Sequence, residues 1–113
     1  MNTQQNYQFV PAYYEWHFID KRHPEKVLLN WIEPLEDLYD DYNKETGEYE
    51  DEPHLMTEFD EVQGECEAFI ERGLNLFEEG TGSYFGVNEK DFMQLPVCAA
   101  KVMARALYDH YIA

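Results

Sequence analysis

The chain is short of positive charge. Eight lysines and arginines face 24 aspartates and glutamates, a formal net charge of −16 over 113 residues. A protein so charged repels nucleic acid and anionic membrane surfaces through one Coulomb term, which argues against direct binding to either and points to basic proteins as partners. Cysteine is nearly absent: Cys66 and Cys98 stand far apart with no C-x-x-C pattern. A secreted disulfide framework is thereby disfavoured, and free thiols in a reducing compartment are expected. No apolar run reaches the length of a membrane span, and residues 1–8 carry neither the basic nor the apolar region of a secretory signal. The expectation is a soluble, cytoplasmic protein. His17, His23, His54 and His110 fall into no H-x-x-x-H or H-E-x-x-H spacing, so neither a metal nor any other cofactor is expected.

What is present suffices for one domain, residues 1–113, with one modest core. Apolar residues make up 44%, and nine Tyr, seven Phe and two Trp supply large buried areas. Residues 1–6 are polar and expected to fray. In Tyr7–Ile19, Tyr14, Trp16 and Phe18 alternate with Glu15 and His17, which favours a short strand over the alternative, a short helix opened by Pro11. From Glu25 the period changes: Leu28, Trp31, Ile32, Leu35, Leu38, Tyr39 and Tyr42 recur at three and four residues, predicting a helix that Pro34 either kinks or restarts. Residues 43–53 (NKETGEYEDEP) read as an exposed acidic loop. A second helix is predicted over Leu55–Glu79, with Thr57 and Asp60 as a capping box. Gly80, Gly82 and Gly86 mark a loop around Tyr84 and Phe85. Asn88 is a candidate N-cap for a last helical region that Pro96 splits in two. The fold class expected is therefore mainly α, a small single-domain helical bundle with a short β element at its N-terminus.

The acids are concentrated. Thirteen of the 24 lie between Glu33 and Glu61 against the single base Lys44, so this segment carries −12 and the remainder −4. On a helix, Glu33, Glu36, Asp37, Asp40 and Asp41 would form one stripe opposite the apolar one. At about 1.5 Å rise per residue they would occupy about 12 Å, a charge density comparable to that of duplex DNA. Glu58, Glu61 and Glu65 begin a second stripe on the next helix. Solvation alone could be met with interspersed lysine; an array almost free of cations suits a basic groove. Tyr42 and Tyr49 fit as anchors, since phenol rings and carboxylates together accommodate arginine. The candidate partner-binding set is Glu33, Glu36, Asp37, Asp40, Asp41, Tyr42, Glu48, Tyr49, Glu50, Asp51, Glu58 and Glu61.

Other constellations are weaker. Asp41, Asn43, Glu45 and Glu52 occupy positions 1, 3, 5 and 12 of a calcium loop, but the glycine required at position 6 arrives one residue late as Gly47. Cys98 lies beside Val97 and Ala99, where a thiol packs rather than reacts. The glycine-rich stretch at 80–86 lacks the Gly-Lys-Ser/Thr ending of a phosphate-binding loop and follows Glu78 and Glu79. No catalytic set emerges, and an enzyme is not expected.

In size, acidity and tyrosine content the chain resembles phage-encoded DNA-mimic proteins that inhibit restriction or CRISPR enzymes, and it is similar in composition to immunity proteins that neutralise basic nucleases. The resemblance is one of character over the whole chain, without an alignable motif. It implies a stoichiometric inhibitor in the host cytosol that occludes the basic surface of a nucleic-acid-binding enzyme or effector. The alternatives are an assembly or immunity-type interaction protein that binds through its aromatic surface, and a small metal-binding or enzymatic domain.

Overall fold

In the computed structural model, which describes residues 6–43, 45–80 and 87–113, the ring-rich start of the chain is extended, as its alternation predicts. Strand β1 (Tyr7–Pro11) pairs antiparallel with β2 (Glu15–Asp20), and β2 with β3 (His23–Ile32), in the order β1-β2-β3. The register sets Phe9 opposite Phe18, Phe18 opposite Leu29, and Trp16 opposite Trp31. Residues directly opposite share a face, so these five rings and aliphatics make one buried surface. Glu15, His17 and Asn30 point to the other side. Tyr14 departs from the alternation: it sits in the turn between β1 and β2 and is exposed.

The fold is α+β, which corrects the expected helical bundle. Among the described residues, two antiparallel sheets of five strands in all precede three α-helices. The helix read from Glu25 to Tyr42 is instead strand β3, a 3₁₀ turn and a further strand. Its apparent helical period has a physical source in a β-bulge. Phe18 pairs with Leu29 and Ile19 with Val27, leaving Leu28 as the extra residue on β3. Both Leu28 and Leu29 are therefore buried, the period of two is broken, and the apolar residues fall at spacings of three and four by coincidence. Pro34 does open a helical turn, but a 3₁₀ one, Pro34–Leu38.

The expected acidic loop at residues 43–53 is also corrected. Strands β4 (Tyr39–Asn43) and β5 (Glu48–Leu55) form a separate two-stranded sheet. Its ladder is irregular: Asp40 pairs with His54 and Tyr42 with Tyr49, so β5 spends more residues than β4 over the same stretch. Pro53, which has no N–H to donate, lies within that irregularity.

Helix α1 (Phe59–Glu78) starts later than the predicted Leu55, which ends β5, and Gly64 and Gly73 do not end it. Its N-cap is Glu58, with no side-chain cap bond, so the Thr57–Asp60 capping box does not form. Asn88 caps α2 (Glu89–Phe92), its Oδ1 accepting from the Asp91 N–H at 2.9 Å. After Pro96 the chain turns into α3 (Ala99–Tyr111). Helix α1 buries Val62, Cys66, Phe69 and Phe77; α3 buries Ala99, Ala100, Met103, Ala104 and Leu107. The alanines let α3 come close to α1 and β1. Trp31 stacks on Phe69 with ring centroids 4.1 Å apart and planes at 12°, and its Nε1–H donates to Asp37 Oδ2 at 2.9 Å. Of the expected frayed start (residues 1–6), residues 1–5 fall outside the described residues, while the Asn6 carbonyl accepts from the Lys21 N–H at 2.8 Å; the expected glycine-rich loop falls outside them from residue 81 to 86. None of the described helices is long and apolar enough to cross a membrane.

Two outcomes follow. Phe69→Ala removes the stack under Trp31 and should destabilise the protein by about 3–5 kcal/mol, read as a lower denaturant midpoint. Burial, followed by the charges of Glu65 and Glu67, pushes the Cys66 thiol up to about 12, whereas Cys98 is half-exposed. At pH 8 a thiol reagent should therefore label Cys98 in the native protein and Cys66 only on unfolding, as counted by mass spectrometry.

Candidate functional site

Glu33, Glu36, Asp37, Asp40 and Asp41 do not form the expected helical stripe. The structure divides the twelve expected site residues into three groups. Glu33, Glu36 and Asp37 surround the 3₁₀ turn; Asp40, Asp41, Tyr42, Glu48, Tyr49, Glu50 and Asp51 lie on the β4–β5 hairpin; Glu58 and Glu61 open α1. The three groups are consecutive along the chain. On α1, burial raises the Glu65 pKa, Arg72 opposes that rise, and the charges of Asp37 and Asp40 add to it.

The hairpin is the largest group. Residues 39–55 hold seven acids against Lys44, and every residue from Glu48 to His54 is exposed. Among the described residues no lysine or arginine pairs with a hairpin carboxylate; the one ion pair is His54 Nδ1 with Glu50 Oε2 at 3.6 Å. Eight residues of β5 at about 3.3 Å each make an arm about 26 Å long. A net −6 over that length is one charge per about 4 Å, close to the 3.4 Å of a single nucleic-acid strand and below the density of a duplex. The density that a helix would have given is thus about halved.

The arm is held at both ends. At its base Leu38 and Met56 are buried, and the Met56 N–H donates to the Leu38 carbonyl at 2.9 Å. At its tip Asn43 Oδ1 accepts from the N–H groups of Glu45 (2.9 Å) and Thr46 (3.3 Å), while Gly47, at φ 73°, donates its N–H to the Asn43 carbonyl at 2.8 Å. This geometry is a hairpin turn, so the calcium-loop register of Asp41 to Glu52 is not realised as a helix–loop–helix. Tyr42 and Tyr49 meet edge to face at 5.3 Å, and Asn43 Nδ2 donates to Glu50 Oε1 at 2.7 Å. Among the described residues no three His, Cys, Asp or Glu side chains are placed to hold a metal ion.

Two surface clefts adjoin the turn. One, of about 550 Å³, lies between β3 and α1 and is lined by Asp37, Phe69, Arg72 and neighbours. It already holds a cation, Arg72, which reaches Glu65 at 3.9 Å. The other, of about 390 Å³, is lined by Tyr13, Tyr14, Trp16, Tyr111, Glu33 and Glu36 among others. Among the described residues no lysine or arginine lines it. Tyr13, Tyr14 and Tyr111 were not among the expected site residues. The adjacent Tyr13–Tyr14 pair ahead of a strand was a readable signal, but nothing in the sequence joins Tyr111 to it. The Tyr14 hydroxyl is pushed above the ordinary tyrosine range, first by its hydrogen bond with the Tyr13 side chain, then by desolvation and the charge of Glu33.

Among the described residues no atom lies near the position a Gly47 side chain would take, so Gly47→Ala should act through its backbone. The left-handed conformation should cost about 1–2 kcal/mol. Because a two-stranded sheet is marginal by itself, the loss should appear as faster amide exchange in β4 and β5, with α1 and α3 unchanged. No protein-family model, curated protein or solved structure matches this chain.

Proposed function

We propose that the protein is a non-enzymatic, cytoplasmic inhibitor or buffer that occludes the basic nucleic-acid-binding surface of a partner protein. The observation that carries this reading is the β4–β5 hairpin, a solvent-exposed arm whose carboxylates carry no lysine or arginine counter-charge among the described residues. Its linear charge is near that of a single nucleic-acid strand, so it acts as a phosphate mimic. Long-range attraction speeds association with a basic groove, and Tyr42 and Tyr49 give close-range contact to arginine. Glu58 and Glu61 extend the same field onto α1. The second reading, an assembly protein that binds through its rings, draws on Tyr13 at 88% and Tyr49 at 75% exposure; it predicts association indifferent to salt.

The decisive variant avoids Asp37, whose carboxylate serves Trp31, and Asp40, whose Oδ1 accepts the Tyr42 N–H at 3.0 Å. Asp41→Lys, Glu48→Lys and Asp51→Lys together reverse charge on exposed positions only. With each exposed pairing worth up to about 1 kcal/mol and repulsion added, the triple variant should lose about a hundredfold or more in affinity while its melting temperature stays level. Affinity capture from lysate reads the outcome: a nucleic-acid-binding protein eluted by salt, displaced by duplex DNA and not held by the triple variant is expected. A partner retained equally by the variant, or through high salt, removes the hairpin from the mechanism.

A further inference from the structure

The cleft beneath Tyr13 and Tyr14 combines features that the acidic arm lacks. Tyr13 and Tyr14 stand edge to face at 4.2 Å, with planes at 62°. Trp16 and Tyr111 form a second ring pair at 5.8 Å and 51°. Trp16 Nε1–H donates to the Tyr111 hydroxyl at 3.2 Å, which fixes that pair across the cleft wall. Glu33 and Glu36 line the same cleft, and neither pairs with a lysine or arginine among the described residues.

Glu33 is held in an unusual way. At φ 49° and ψ 58° it is the one non-glycine residue with positive φ among the described residues. Its N–H donates to the Tyr14 carbonyl at 3.2 Å, and its own carbonyl accepts from the Glu36 N–H at 3.1 Å. Those two bonds lock the left-handed backbone between the end of β3 and the 3₁₀ turn. A glycine would sit there without strain. A glutamate bears the strain and sets its carboxylate at the mouth of a ring-lined cleft.

We infer that this cleft binds a guanidinium group, the side chain of an arginine presented by a partner. A planar cation can lie against tyrosine faces while its N–H groups pair with the two carboxylates, a combination that a spherical ammonium cannot reproduce. The site is distinct from the hairpin and does not require it, so the triple hairpin variant should still bind the probe.

The test is an NMR titration of the full chain with acetyl-arginine amide, and in parallel with tetramethylammonium chloride, at millimolar concentrations. Saturable shifts of the Tyr13, Tyr14 and Tyr111 ring protons with the arginine probe are expected, and weaker binding of tetramethylammonium. Glu33→Gly should weaken arginine binding about tenfold, as expected for loss of a charge-assisted pairing, while its melting temperature holds or rises because the backbone strain is gone. Tyr13→Ala, at a solvent-exposed position that supports no core, should weaken it by a similar factor. Shifts that both variants leave unchanged would mean only the general acidic field is being read, and the assignment fails. It fails equally if tetramethylammonium binds as tightly as arginine, or if no ring proton moves.

Discussion

One indole ties the molecule together. Trp31 lies in β3, stacks on Phe69 of α1 and donates to Asp37 of the 3₁₀ turn, so a single side chain fixes sheet, helix and turn relative to one another. Stacked rings add about 0.5–1.5 kcal/mol to the area they bury, and an indole N–H buried without an acceptor would cost about 1–3 kcal/mol. Asp37 therefore has two masters. It belongs to the acidic segment by charge, yet it is also the acceptor that lets Trp31 be buried. The turn it stands on leads directly into β4, so the direction in which the hairpin leaves the body depends on this contact.

The high charge is compatible with the fold because of where it lies. No charged or polar residue is buried among those described; the core is rings, aliphatics and alanines, and the carboxylates are distributed over turn, hairpin and helix surface. At physiological salt the Debye length is about 8 Å, so repulsion acts mainly between neighbours within one group. That repulsion falls hardest on the hairpin, the element with least packing of its own. The arm is held by a buried base and a hydrogen-bonded tip rather than by a core, and a surface of opposite sign would relieve the stress along its length.

The parts of this fold that were legible are those in which one period or one cap acts alone. The alternation of Trp16 and Phe18, the long apolar face of α1, and the Asn88 cap each express a local rule and each appears where expected. β3 was illegible because the bulge at Leu28 puts two adjacent leucines on the core side, and Trp31, Ile32 and Leu35 then complete a helical spacing by accident. The hairpin was hidden for another reason: its strands bury almost nothing, so no hydrophobic period marks them, and only Asn43 and Gly47 at the tip carried a signal. The acidic residues are concentrated in one segment of the sequence, but Asp40 and Asp41, expected on a helix, lie on a strand. The ring-lined cleft joins residues from both ends of the sequence, a juxtaposition that no local pattern encodes.

The hydrogen bond from Trp16 to Tyr111 spans 95 positions of sequence, and it gives the two surfaces different histories during synthesis. The hairpin pairs residues within a short stretch of chain, all of which emerge before α3. The cleft wall cannot exist until α3 has emerged and docked. A growing chain can thus expose the residues of its acidic arm before the wall of the ring-lined cleft is assembled.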